Sequence, residues 1–380
     1  MRLRALYILL VLPLLISPPF PAYTQSADSE VYPGKEWARI DKPESAGYST
    51  PRLQALRGWL QTLDTTGMLV VVGGKSLFEY GDLTHLSYLA SARKSVLAML
   101  YGKYVDNGTI KLGTTLRELA FNDVGGLQER ELEATIDHLV TARSGVYHPA
   151  SNPGDSTDSA PPRTSQQPGA YYLYNNWDFN AAGAVFEKLT GHDIYDALET
   201  DLAKPIGMQD FDRARQRKTG STQRSQYLAY HMWLSTRDMA RIGLLMLREG
   251  RWGERQLISR HWIRKITSLV TPLNEMNPPA MRSLGSGERW GYGYMWWVWD
   301  APNSPGPFAG AYSAKGAGGQ FITVLPRLDL VIAHKVDMGQ PPGQGRTGRR
   351  LVNGPEYYTV LRMLLAARCP AGKCAAAQGS

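Results

Sequence analysis

A chain of 380 residues with 43% hydrophobic residues can bury a large core and is long enough for two compact units. Its formal charge of +8 is spread along the sequence, with no basic block interleaved with aromatics, so a nucleic-acid interface is not expected. Two cysteines without a flanking histidine cluster exclude a disulfide scaffold and a cysteine-ligated zinc site.

The first feature in chain order is a leader. Met1-Arg2-Leu3-Arg4 is charged, Ala5 to Ile16 is apolar, and Ser17-Pro18-Pro19 with Ala22 and Thr24 forms a small-residue exit. That order describes a secretory signal over 1–24, because the apolar run falls short of the ~20 residues that a membrane span needs. The sequence therefore predicts an exported protein, periplasmic or secreted, tethered to a membrane only if the leader stays uncleaved. No later run is apolar enough to span a bilayer.

Residues 49–64 have the spacing of an amphipathic helix. Met68 to Val72, the turn Gly73-Gly74-Lys75 and Ser76 to Tyr80 then read as a β-hairpin. Helical patterns follow over 92–106, 178–190, 193–203 and 235–249. Gly291 to Trp299 reads as a strand. Gln320 to Leu325 and Leu328 to Ala333, joined by Pro326-Arg327, form a second hairpin, and 353–368 a closing helix. Strands at the two ends with helices between them predict an α+β fold. One antiparallel sheet would be built from 25–90 and 251–380, with a mainly helical unit of 91–250 inserted. The stretch from Pro149 to Gly169 is rich in Pro, Ser, Asp, Gly and Gln and too long for an ordinary connector, which marks it as a loop bordering the site.

Three short motifs carry chemistry. In Ser91-Ala92-Arg93-Lys94, serine and lysine are three residues apart at a helix start and share one helix face. A serine hydroxyl attacks a carbonyl only when a base takes its proton, and a lysine can be that base only if burial or positive charge lowers its pKa. Tyr174-Asn175-Asn176 offers a phenol to relay the proton and, two residues on, an amide to hold the lysine and bind a substrate carbonyl. Lys315-Gly316-Ala317-Gly318-Gly319 offers a cation, and glycines that let substrate approach a strand edge with backbone N–H groups free for an oxyanion. Each motif also has a structural reading: a plain helix start, a packed loop, a flexible strand entry.

Other chemistries fail on their patterns. Gly73-Gly74-Lys75-Ser76 lacks the glycine five residues upstream that a phosphate loop needs, since Leu69 stands there. Seven histidines are scattered without H-E-x-x-H, and no G-x-S-x-G elbow occurs. His138 is expected to pack beside the site, and Trp296, Trp297 and Trp299 to line an apolar pocket or fill the core. Cys369 and Cys374 are close enough to bridge in an oxidising compartment.

In this order the three motifs, with the phrase Asp137 to Val146 ahead of the tyrosine loop, resemble the serine β-lactamase and penicillin-binding-protein superfamily, and within it the class C-like serine hydrolases that include DD-peptidases, esterases and 6-aminohexanoate-dimer hydrolases. The resemblance covers roughly residues 45–368. Ser91 and Lys94 match its S-x-x-K, Tyr174 and Asn176 its Y-x-N, and Lys315-Gly316-Ala317 occupies its K-T-G position. It implies a β-lactamase/transpeptidase-like fold, and an acyl-enzyme formed on Ser91. Lys94 and Tyr174 would move the proton, Ser91 and Gly318 N–H groups hold the oxyanion, and Asn176, Lys315 and Gly316 position substrate. The missing threonine of K-T-G removes a hydroxyl that helps β-lactamases bind the drug's carboxylate, so ester or amide cleavage is expected over efficient β-lactamase action. DD-peptidase or weak β-lactamase activity, and a non-catalytic penicillin- or peptide-binding role, remain alternatives. The expected partner is a small-molecule or peptide-like amide or ester. Nothing in the sequence requires a cofactor.

Overall fold

Seven strands make the central sheet, whose middle strands carry apolar residues toward both faces. The structure, a computed structural model, describes residues 30–282, 286–301, 306–338 and 352–369. The expected leader and Cys374 lie outside these residues; Cys369 is disulfide-bonded. The strands are β1 (Gly67–Val72), β2 (Lys75–Gly81), β3 (Trp290–Tyr292), β4 (Trp297–Trp299), β5 (Tyr312–Gly316), β6 (Gln320–Leu325) and β7 (Leu330–Lys335). They run in the order β2-β1-β7-β6-β5-β4-β3 with every pair antiparallel, so strands from both ends of the chain meet where β1 pairs with β7.

Helix α1 (Thr50–Leu60) carries Pro51 in its first turn, where the fixed φ of proline is pre-set for the helix. It buries Leu53, Leu56 and Leu60, a spacing that makes one apolar stripe. That stripe joins Met68, Val70, Leu330 and Ile332 from the sheet and the closing helix in one cluster. Burying each such leucine contributes about 1.5–3 kcal/mol. On the other face, Leu69, Val71, Ile322, Val324, Val331 and Ala333 pack with the remaining helices. These include α2 (Arg93–Asp106), α3 (Asn176–Thr190) and α4 (Thr236–Leu247). Side-chain oxygens of Asn175 and Ser235 cap the first turns of α3 and α4. The closing helix, α5 (Gly354–Ala366), begins with a capping box between Asn353 and Glu356 and stacks Tyr357 on Phe321.

Two expected elements differ. The strand read over Gly291 to Trp299 is a hairpin, in which Trp297 pairs with Tyr292 around a turn that holds Met295 at φ 58°. Its aromatics at 292, 294, 296, 297 and 299 suit a strand throughout, and Gly293 is the one residue in the turn with a turn preference. The helix expected over 193–203 is α-helical only over Ile194–Ala197 and continues as π-helical turns over Leu198–Ala203.

Candidate active site

Ser91 is placed by a short ribbon. Ser87 and Tyr88 pair with Leu234 and Trp233, and the Leu89 N–H donates to the Met232 carbonyl at 2.9 Å. The chain then turns sharply, with Ala90 at φ 50°, a left-handed conformation costly for a residue with a Cβ. A 3-10 turn over Ala90–Ala92 runs directly into α2. This turn leaves Ser91 partly exposed while Ala90, Ala92, Arg93 and Lys94 are buried.

Lys94 is 1% exposed. Its Nζ lies 3.1 Å from Ser91 Oγ, 2.7 Å from Tyr174 OH and 2.7 Å from Asn176 Oδ1. Burial pushes the Lys94 pKa well below the usual lysine range; the positive charge of Arg93 pushes the same way and Asp155 opposes. Tyr174 moves oppositely, up to about 12, chiefly through burial and against its hydrogen bond with Ser91. A neutral phenol beside a proton-poor amine is an arrangement in which the amine can accept a proton and the phenol can pass one on. An amine with one lone pair and two hydrogens fits three oxygen partners, accepting from one hydroxyl and donating twice.

Asn176 is the first residue of α3 and is 2% exposed. Its Oδ1 takes the Lys94 hydrogen bond, its Nδ2 donates to the Pro153 carbonyl at 3.1 Å, and its backbone N–H donates to Asp155 Oδ2 at 2.8 Å. The amide is therefore committed to holding the lysine. The same loop reaches the tyrosine, where the Ser156 N–H donates to the Tyr174 carbonyl at 2.9 Å. Asp155, and Arg93 beside the lysine, are site residues that the motif reading passed over. Asp155 gives no local signal, because a carboxylate in a Pro/Ser-rich loop is ordinary; Arg93 gave one, a charge at a helix position that the apolar pattern buries.

The third motif is divided by strand alternation. Gly316 faces the nucleophile turn so closely that a Cβ there would lie 2.6 Å from the Leu89 carbonyl oxygen and 3.1 Å from the Ala90 Cβ. Lys315 therefore points to the opposite face of the sheet. It pairs with Phe321, whose ring stacks on Tyr357 of α5, and its Nζ lies 3.7 Å from Glu288 and over the rings of Trp290 (4.2 Å) and Trp297 (5.0 Å). Burial lowers the Lys315 pKa to about 7, with Glu288 opposing. The structure thus brings Ser91, Lys94, Tyr174, Asn176 and Gly316 together and turns Lys315 aside. Gly318, at φ 76°, sits against Met338 in the turn that joins β5 to β6.

Of the other sequence candidates, Trp297 stacks on Tyr174 with ring centroids 5.8 Å apart and forms an aromatic wall with Tyr292. Trp296 is fully buried in the core and Trp299 stacks on Phe308. His138 closes a capping box with Thr135 at the start of the short helix Ile136–Val140. Among the described residues no group of three metal-ligating side chains occurs.

Comparison with known proteins bears on the fold and the family. A stretch of 153 residues is 29% identical to monacolin J acid methylbutanoyltransferase of Aspergillus terreus, spanning 32% of this chain and only 36% of that relative. The fold is similar to that of a Bacillus anthracis protein assigned as a 6-aminohexanoate-dimer hydrolase, with TM-score 0.60, 17% identity, and 89% and 88% of the two chains covered. It is also similar to a family VIII carboxylesterase, with TM-score 0.57, 14% identity, and 84% and 99% covered. The model of the β-lactamase family matches residues 59–352, most of the described chain, and the protein belongs to that family.

Proposed function

We propose that the protein is an exported serine hydrolase that opens an ester or amide through an acyl-enzyme on Ser91. The observation that carries this reading is the buried Lys94 amine, 3.1 Å from Ser91 Oγ and 2.7 Å from the Tyr174 hydroxyl. In this reading the Ser91 proton passes to Lys94, directly or through Tyr174, as Oγ attacks the substrate carbonyl. The oxyanion is held by the Ser91 N–H, at the start of the helical turn, and by backbone N–H groups of the 316–318 segment. Collapse expels the alcohol or amine, which takes its proton back from Tyr174 and Lys94. Water then attacks the acyl-enzyme by the reverse route and releases the acid. Asn176 holds the lysine throughout.

Ester or amide substrates are favoured over penicillins because Lys315 faces Glu288 and so supplies no free cation beside Ser91 for a drug carboxylate. The partial likeness to a methylbutanoyltransferase favours a second outcome of the same intermediate, transfer of the acyl group to an alcohol in place of water. Export rests on the leader pattern of residues 1–24; no helix among the described residues is long and apolar enough to cross a membrane.

Intact-mass spectrometry of the wild type and Ser91→Ala after exposure to a fluorophosphonate, a short-chain ester and a penicillin tests the proposal. A Ser91-dependent adduct with ester turnover supports it, and a lasting penicillin adduct moves the substrate toward cell-wall peptides. Labelling that survives Ser91→Ala overturns it. A stoichiometric burst without turnover favours a binding role.

A further inference from the structure

Arg93 is an oddity on stability grounds. It is 1% exposed, and its Nε and Nη2 have no hydrogen-bond partner among the described residues. Only Nη1 is engaged, donating to the Ala90 carbonyl at 3.2 Å, while the guanidinium carbon lies 5.0 Å over the Tyr230 ring. Guanidinium groups do not lose their proton in proteins, and a buried cation without a carboxylate is costly unless something gains from it. A face-on tyrosine offsets part of that cost, on the order of 1–2 kcal/mol. Two features of the site sit directly against this charge: the left-handed Ala90, whose carbonyl it holds, and its chain neighbour Lys94.

We propose that Arg93 is a positioning residue for Ser91 and Lys94. It pins the Ala90 carbonyl so that the nucleophile turn keeps its shape, and it supplies the unscreened positive charge that disfavours a second cation at Lys94. The inference rests on Lys94 being the base for Ser91. Around Lys94 the other charged and titratable groups are few. Tyr174 contributes a phenol and Asn176 and Phe179 no charge; the Asp155 carboxylate, from the loop, is the opposing charge. His231, whose Nδ1 is hydrogen-bonded with the Tyr88 hydroxyl, is lowered to about 3 by burial and by Arg93, Arg217 and Lys94 and stays neutral. Lys315 is held by Glu288 and over the Trp290 and Trp297 rings. Arg93 is thus the nearby fixed cation, and Asp155 alone does not outweigh burial and Arg93 together. An arginine serves here where a lysine would itself tend to lose its proton in so buried a place.

The test is the pH dependence of fluorophosphonate labelling at Ser91, followed by intact mass, in the wild type, Arg93→Met, Arg93→Lys and Tyr230→Glu. Removing the charge raises the Lys94 pKa, so a larger fraction of the base is protonated on the acid side. In Arg93→Met the acid limb is expected to move up by about one pH unit, slowing labelling about tenfold below the limb while the plateau changes little. Arg93→Lys should recover little of that shift, because a lysine buried there tends to lose its proton. Tyr230→Glu keeps Arg93 and sets a carboxylate against it, so it should move the limb in the same direction even if Arg93→Met does not fold. Equal slowing at every pH in these variants, with the limb unmoved, would leave Arg93 a packing residue and overturn the inference. No Ser91 labelling of the wild type at any pH would overturn the serine-nucleophile reading, and this inference with it.

Discussion

The Ser91–Lys94 turn and the Lys315–Gly319 strand end are both short motifs with a lysine, yet among the described residues the first lysine is hydrogen-bonded to Ser91 and the second is held by Glu288. At Ser91 the governing geometry is local: three residues along a helical turn bring two side chains to one face whatever packs around them. At β5 the governing geometry is alternation, in which successive residues point to opposite faces of the sheet. Gly316 is pressed against Leu89 and Ala90, and this commits Lys315 to the face shared with Glu288, Trp290 and Phe321. Helical spacing can be read as contact directly; strand spacing yields contact only once the facing is known.

Substitutions can break this contrast at its strongest point first. Ser91→Ala and Lys94→Met should each lower ester turnover by about 10³-fold or more, since nucleophile and base act as a unit; steady-state kinetics with Ser91→Ala near wild-type rate would end the assignment. Tyr174→Phe keeps the ring against Trp297 but removes the relay hydroxyl, and a loss of roughly 10²–10³-fold in kcat is expected. A loss confined to KM would instead make the phenol a binding group.

Gly316→Val is expected to cost activity while the protein stays folded. The new side chain meets the Leu89 carbonyl and the Ala90 Cβ and so displaces the nucleophile turn. Ester kinetics alongside circular dichroism check this, and unchanged kcat would mean that the turn tolerates the shift. By contrast, Lys315→Met should change kcat/KM by less than about threefold, or ~0.7 kcal/mol. A drop as large as that of Tyr174→Phe would place Lys315 back in the substrate site.

The last effect expected is on stability and leaves the Ser91 site untouched. His334 sits at 0% exposure between Thr65 and the Gly319 carbonyl, and burial lowers its pKa to about 4. Below its unfolded value of 6.5 the unfolded chain takes up a proton that the folded chain refuses, so stability is lost as pH falls from 6.5 toward 4. The slope is about 1.4 kcal/mol per pH unit for this histidine. His334→Gln should flatten that part of a Tm-against-pH curve; an unchanged slope would assign the acid sensitivity elsewhere, with His231 the next group to test.

Much of the molecule was legible from its residues. The hairpin turn at Gly73-Gly74, with φ of 58° and 79°, and the capped starts of α3 and α4 follow from local chemistry that tertiary contacts do not overturn. The hairpin within 290–299 was not legible, because Trp, Tyr and Met suit a continuous strand as well as a turn, and the left-handed Met295 is imposed by packing. Asp155 was equally hidden, since its partner, the Asn176 N–H, lies 21 residues away.

The sequence by itself determined the α+β order of elements, the proximity of Ser91 to Lys94 and the capped helix that carries Asn176. These depend on interactions within one or two turns of chain. Tertiary structure alone decided that Tyr174 and Asn176 close on Lys94, that Gly316 faces the Ser91 turn while Lys315 does not, and that Arg93 is buried with no carboxylate partner among the described residues. Those depend on which faces pack together and how deeply, and the lowered Lys94 pKa on which the proposed chemistry rests arises chiefly from that burial.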